Sequence, residues 1–251
     1  IFDKVAYNIA TIIEDGSCIA SSIGTLFEHL GKHLEHKRDL GIHTPFLSDN
    51  IMNLIKSGAV TNRKKGIYRG QTVTSYAFGS PELLDWLDRN PLIEFQGIDK
   101  VFNPLQIARN PNFVGVVQAR KVDFSGRVTL HVGNKGVIAG LAQATAVVAG
   151  ARASQGGFTV FGLPSRNAKG ESNFLTSVEN YPNLLNIPES VNVVATEYGL
   201  AYLYGRTVRE RAQALIEIAH PDDREDLIEQ AKKANILYKD QIFLKDNAHL
   251  Y

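Results

Sequence analysis

Ile1, Val5, Ile9, Ile12 and Ile13 return at spacings of three and four, which predicts an amphipathic helix halted by Asp15-Gly16. The short apolar run from Cys18 to Ala20 predicts a strand, and Leu26, Leu30 and Leu34 restore the helical period. A second strand-like entry follows between Leu40 and His43. Ser48 or Asp49 is placed to cap a helix carrying Ile51, Leu54 and Ile55, with Gly58 in the left-handed terminating position. Thr72 to Phe78 alternates polar and apolar residues, as a half-buried strand does. Ser80-Pro81-Glu82 combines a capping hydroxyl, a first-turn proline and an acid at the positive dipole end, and predicts a helix with Leu83, Leu84 and Leu87 inward.

The second half keeps this rhythm. Leu92 to Phe95 reads as a strand, Asn103-Pro104 opens a short helix through Ile107, and Phe113 to Val122 is rich in β-formers. Asp123-Phe124-Ser125-Gly126 is a hairpin-type turn into Arg127 to Val132. Gly136 to Ala153 is small and apolar, which suits a helix lying close on a sheet. Phe158 to Phe161 and Val191 to Ala195 are the compact apolar runs of strands buried on both faces. Between them, Pro164 to Pro188 shows little periodicity and reads as a mobile or partner-facing loop. Thr207-Val208-Arg209-Glu210 is a capping box whose helix places Val208, Ala212, Leu215 and Ala219 on one face. After Pro221 a last helix sets Asp222 and Asp223 in its first turn and Lys232 and Lys233 in its last. Strands alternating with helices predict an α/β fold, an open and largely parallel sheet flanked by helices.

Composition narrows the function classes. The 251 residues, 44% of them hydrophobic, can bury a full core. With 27 basic against 26 acidic residues the net charge is +1, so no global field draws nucleic acid or an anionic membrane. Cys18 is the single cysteine, which excludes an internal disulfide framework and suits a reducing, cytoplasmic compartment. No apolar run reaches the ~20 residues that span a bilayer. The chain opens inside a helical pattern without an initiator methionine and reads as part of something longer.

Gly41-Ile42-His43-Thr44-Pro45-Phe46-Leu47-Ser48-Asp49, Ser57-Gly58-Ala59-Val60-Thr61-Asn62-Arg63-Lys64-Lys65, Ala77-Phe78-Gly79-Ser80, and Thr196-Glu197-Tyr198-Gly199 through Ala219-His220-Pro221 stand in one order along the chain. Together they resemble the acetyl-CoA hydrolase/transferase family, which includes the 4-hydroxybutyrate CoA-transferases. The resemblance implies that residues 1–251 form the C-terminal domain of a two-domain subunit whose N-terminal half is absent. It also implies coenzyme A esters and a small carboxylate as substrates, no metal, and the missing half or further copies of the chain as partners. In that family a glutamate follows Gly-Ile-His-Thr and attacks the thioester; here the position is Pro45. Two glycine loops of the family supply oxyanion donors. Their counterparts here are Ser22-Ile23-Gly24-Thr25 and Gly140-Leu141-Ala142-Gln143-Ala144, each keeping one glycine. Retained caps and strands with an altered nucleophile leave two readings open: a divergent transferase or hydrolase, and a catalytically silent module, a pseudoenzyme.

The resemblance makes Gly24, Gly140 and Gln143 candidates to hold CoA. Arg63, Lys64 and Lys65 read either as phosphate contacts, Lys64 and Lys65 above all, or as a wet charged face. Glu197, at a strand end, is the candidate for a substitute catalytic acid against the alternative of fixing the next turn; Glu94 is a weaker one. His29, His33 and His36 share a helical face, a pattern that grips a metal or simply meets solvent. His43 and Cys18 read as packed residues, and Tyr198, Tyr202 and Tyr204 as lining the core or a subunit contact.

Overall fold

The alternation of apolar runs and amphipathic helices produces a six-stranded sheet. The computed structural model describes residues 1–130 and 141–241. Across the sheet the strands are Gly41–Ile42, Cys18–Ala20, Phe113–Gln118, Phe158–Gly162, Val193–Thr196 and Gly199–Tyr202. The first five are parallel, and Gly199–Tyr202 returns antiparallel along Val193–Thr196. Counted along the chain, the parallel strands lie in the order second, first, third, fourth, fifth. The connections therefore reverse direction between Cys18–Ala20 and Phe113–Gln118, a topological switch point.

Both faces are covered, which is why the strands are apolar almost throughout. On one face Val5 and Ile9 of helix Phe2–Thr11, Leu26 and Leu30 of Thr25–Leu34 and Ile51 of Asp49–Lys56 pack on Val114, Val116 and Val160. On the other, Val147 and Ala151 of helix Ala142–Ala153 and Ile107 pack on Cys18, Ala20 and Phe113. Glycines let this second layer close in. A Cβ at Gly115 would stand 2.4 Å from Val147 Cγ1, and one at Gly150 would stand 2.3 Å from Ile107 Cγ2.

The helix starts follow from their caps. Ser80 Oγ accepts from the Leu83 amide at 3.2 Å, and Asn103 Oδ1 accepts from that of Leu105 at 2.9 Å. Thr207 and Glu210 close the reciprocal capping box. Ser48 occupies the cap position of Asp49–Lys56 without capping it, because its hydroxyl meets Asn50 Oδ1.

Several expectations are corrected. Pro164 to Pro188 is no bare loop: Phe174–Leu175 and Leu184–Leu185 flank the hairpin Lys121–Asp123 and Val128–Thr129 in a four-stranded sheet, with Phe174, Val122 and Val128 buried against the last two helices. Two-residue strands leave no readable period. Leu84 and Val208 are exposed rather than inward; Tyr198, Tyr202 and Tyr204 are exposed too, which overturns only the core-lining alternative given for them. Of the segment Gly136 to Ala153, the helix spans Ala142–Ala153, and residues 136–140 lie outside the described residues.

Candidate functional site

In open α/β sheets ligands bind in the crevice beyond the carboxyl ends of the strands at the switch point. Here that crevice lies past Ala20 and Gln118. A cavity of about 260 Å³ opens there, with Ala20 and Val116 from the strands, Ile23 and Phe27 on one side, Ala144 and Val147 on the other, and Ser22, Gln118 and Gln143 as its polar groups.

Two helices aim their amino ends at this crevice from opposite faces of the sheet. Thr25–Leu34 begins at Gly24, whose φ of +119° requires glycine. Ala142–Ala153 begins at Leu141. Among the described residues no side chain caps either start; the Phe27 amide turns back on Gly24 O at 2.9 Å, and the amides ahead of it are those placed to meet an anionic or oxyanionic ligand. Gln143 Nε2 reaches across to Ser21 O at 3.4 Å. Gln143 thus meets the loop that leads to Gly24, while Gly140 lies outside the described residues.

Pro45 lies next to this wall. Thr44 Oγ1 donates to Ser21 O at 2.6 Å and accepts from the Ser21 amide at 3.3 Å, tying the loops after the two neighbouring strands to each other. Pro45 is buried, and its carbonyl accepts from the amides of Ser75 and Tyr76 at 3.1 and 2.9 Å and from Thr74 Oγ1 at 3.1 Å. Phe46 then stacks on Tyr76, ring centroids 5.8 Å apart.

A larger cavity, about 520 Å³, shares Gln118 with the first and continues past Arg120, Lys121, Arg166 and Lys169. Burial holds the Lys121 ammonium below its ordinary pKa, partly offset by Glu171; its Nζ donates to Ser172 O at 3.3 Å and lies 5.5 Å from the centre of the Tyr181 ring. Arg166 grips Asp223 through Nε and Nη2 at 2.9 and 2.5 Å. Sequence reasoning missed this basic wall. The available signal was Gln118-Ala119-Arg120-Lys121, polar and basic residues directly after an apolar parallel strand.

The other candidates lie elsewhere. Lys65 is a correction: it is 1% exposed, its Nζ donates to Ile42 O at 2.8 Å and Gln71 O at 2.7 Å, and its stem fills the space a Cβ on Gly41 would need. An ammonium turned into the protein cannot meet a solvent-borne phosphate, and burial depresses its pKa to about 8. Lys64 is exposed but lies over Gly16, before the strand Cys18–Ala20 begins, at the end of the sheet away from the crevice. Glu197 does stand at a carboxyl strand end, with both oxygens held by Ser165. Glu94 accepts from Gln96 Nε2 at 2.5 Å. His29 and His33 approach Asp3 at 3.2 and 2.8 Å, and among the described residues no group of His, Cys, Asp and Glu has the arrangement of a metal site. His43 is buried, with Nε2 at 3.1 Å from Val101 O and Nδ1 at 3.4 Å from Asn110 Nδ2. Burial raises the Cys18 thiol pKa to about 12, so it is inert at neutral pH. No described helix is long and apolar enough to cross a membrane.

Comparison with known proteins supplies an independent view of the chain. The pattern of the acetyl-CoA hydrolase/transferase C-terminal domain matches residues 79–231. The chain is 35% identical to 4-hydroxybutyrate coenzyme A transferase of Clostridium kluyveri over 230 residues, 91% of this chain and 54% of that protein. It is 32% identical to the succinyl-CoA:acetate/propanoyl-CoA:succinate CoA transferase of Fasciola hepatica, over 90% of this chain and 48% of that protein. Among solved structures, RipA from Yersinia pestis superposes with a TM-score of 0.85 at 31% identity, covering 94% of this chain and 52% of RipA. The 4-hydroxybutyrate CoA-transferase of Porphyromonas gingivalis superposes at 0.83 and 32%, covering 93% of this chain and 56% of that one. The chain spans about half the length of the curated relatives it matches.

Proposed function

Because this chain belongs to the acetyl-CoA hydrolase/transferase family, we propose that its switch-point crevice holds the thioester of an acyl-CoA. On this reading it serves the transfer of CoA to a small carboxylate, or acyl-CoA hydrolysis, as the C-terminal half of a larger subunit or assembly. The observation that carries the reading is the convergence of two uncapped helix starts, at Gly24 and Leu141, on one crevice. When a carboxylate oxygen adds to the thioester carbonyl, negative charge grows on the carbonyl oxygen. Preset amides and the Gln118 and Gln143 side chains are suited to receive it. The carbon–sulfur bond then breaks, CoA leaves as thiolate, and an acyl anhydride remains. The basic cavity beyond Gln118 supplies Lys121 and Lys169 for the phosphates of CoA, in place of Lys64 and Lys65.

A specific observation favours the second reading, a silent CoA-binding or assembly module. Pro45 offers no nucleophile, and none of the described residues lining the smaller cavity is a carboxylate. Calorimetric titration with CoA and acetyl-CoA, paired with a thiol-release assay on the same sample, separates the two. Binding with thiol release supports the transferase or hydrolase. Binding without chemistry supports the module, and absence of binding counts against a CoA site in this chain.

A further inference from the structure

We infer that the acyl group accepted by the crevice is short, uncharged and apolar, of the butyryl type, and not a dicarboxylic one such as succinyl; this rests on the crevice being the site of the CoA ester. The smaller cavity is walled by Phe27, Val116, Ala144 and Val147, all buried. Its polar groups, on Ser22, Gln118 and Gln143, are neutral, and none of its described lining residues carries a charge. A carboxylate entering this slot would lose its hydration without gaining a cation from the described lining, which is among the costlier transfers a binding site can impose. An alkyl chain would exchange water for close apolar contact.

Size and position agree. At about 260 Å³ the slot is smaller than the ~300 Å³ at which pockets begin to hold drug-sized ligands, so it suits a small group and not a nucleotide. The charged side chains begin on the far side of Gln118, in the larger cavity. A CoA ester with its thioester near Gln118 would thus lay its acyl chain in the apolar slot and its anionic portion toward Lys121 and Lys169.

The test is calorimetric titration of the chain with CoA, acetyl-CoA, butyryl-CoA and succinyl-CoA. Each methylene buried is worth about fourfold in affinity, so butyryl-CoA, two methylenes longer, should bind about fifteenfold tighter than acetyl-CoA. Succinyl-CoA should bind no tighter than free CoA. Ile23 is 46% exposed at the rim of the slot, so Ile23→Lys should fold normally. It should shift the succinyl-to-butyryl affinity ratio toward succinyl by about tenfold. Esters that bind equally well, or a ratio that Ile23→Lys leaves unchanged, would overturn the inference while leaving the CoA reading intact. Failure of CoA and every ester to bind would overturn the CoA reading and this inference with it.

Discussion

Both carboxylate oxygens of Glu197 are engaged by one residue: the Ser165 amide donates to Oε2 at 2.9 Å and the Ser165 hydroxyl to Oε1 at 2.7 Å. An acid that sequence position alone nominates for catalysis thus clamps the segment after Phe158–Gly162 to the end of Val193–Thr196. Charge-assisted hydrogen bonds of this kind are worth more than neutral ones. Glu197→Gln is expected to lower unfolding stability by about 1–3 kcal/mol while CoA affinity moves less than twofold. Urea denaturation beside calorimetry checks this; lost CoA binding at unchanged stability would contradict the clamp.

Lys65 and His43 are buried bases that resist protonation, and both make stability depend on pH in the same sense. Burial lowers Lys65 from 10.5 to about 8. Between those values the unfolded chain keeps a proton that the folded chain has shed, so stability rises with pH across the window. The gain is on the order of 3 kcal/mol at the upper end, and Lys65→Met should abolish it. Burial, reinforced by the nearby Lys65 charge, lowers His43 from 6.5 to about 4. Stability should therefore fall as pH drops from 6.5 toward 4 and stop responding to this group below that. Denaturation midpoints measured from pH 4 to 10.5, with His43→Asn flattening the acid limb, test both.

Gly115→Ala would place a methyl 2.4 Å from Val147 Cγ1. Overpacking of this kind costs about 1–3 kcal/mol. Because the clash is with one side chain, Gly115→Ala combined with Val147→Ala should be less destabilised than the sum of the two single variants. Thermal melts of the four proteins check it, and strict additivity would show that the strand backbone, not Val147, sets the limit.

Pro45→Glu tests whether the crevice lacks only a nucleophile. The three bonds to Pro45 end on its carbonyl, which any residue provides, so the backbone pairing should survive, with a loss of stability because the new carboxylate enters a buried position. Thiol release from acetyl-CoA is expected to rise at least about tenfold, a little over one kcal/mol of barrier. An unchanged rate with acetyl-CoA bound would mean that the position is too remote or wrongly oriented to attack.

What could be read from the chain was local. The Ser80-Pro81, Asn103-Pro104 and Thr207–Glu210 starts were legible because a cap and its partner lie within a few residues of each other. The parallel strands were legible because burial on both faces leaves an unbroken apolar run. Strand order was not, since pairing Cys18 with Phe113 depends on contacts across the whole chain. Gly24 and Gln143 were nominated through the family's glycine loops. Lys65 was misread because it shares a basic run with Arg63 and Lys64; only the missing side chain of Gly41 makes room to turn it inward. Lys121 and Lys169 are far apart in sequence, and of the small second sheet beside them only the hairpin at Asp123–Gly126 was legible, the strands Phe174–Leu175 and Leu184–Leu185 being too short to announce themselves.

The reversed strand Gly199–Tyr202 also shapes the electric field along the sheet. It returns the chain to the amino end, so helix Val208–Glu217 runs with the strands and finishes at their carboxyl end, where Ile218 O accepts from Thr196 Oγ1 at 2.6 Å. That end of the helix is its negative pole, attended by Arg224, whose Nε donates to Ala219 O at 3.0 Å. The helices starting at Gly24 and Leu141 point the opposite way. The carboxyl edge of the sheet therefore meets helix amino ends at the switch point and a helix carboxyl end near Thr196, so that the cation Arg224 serves the one end and an anion suits the other.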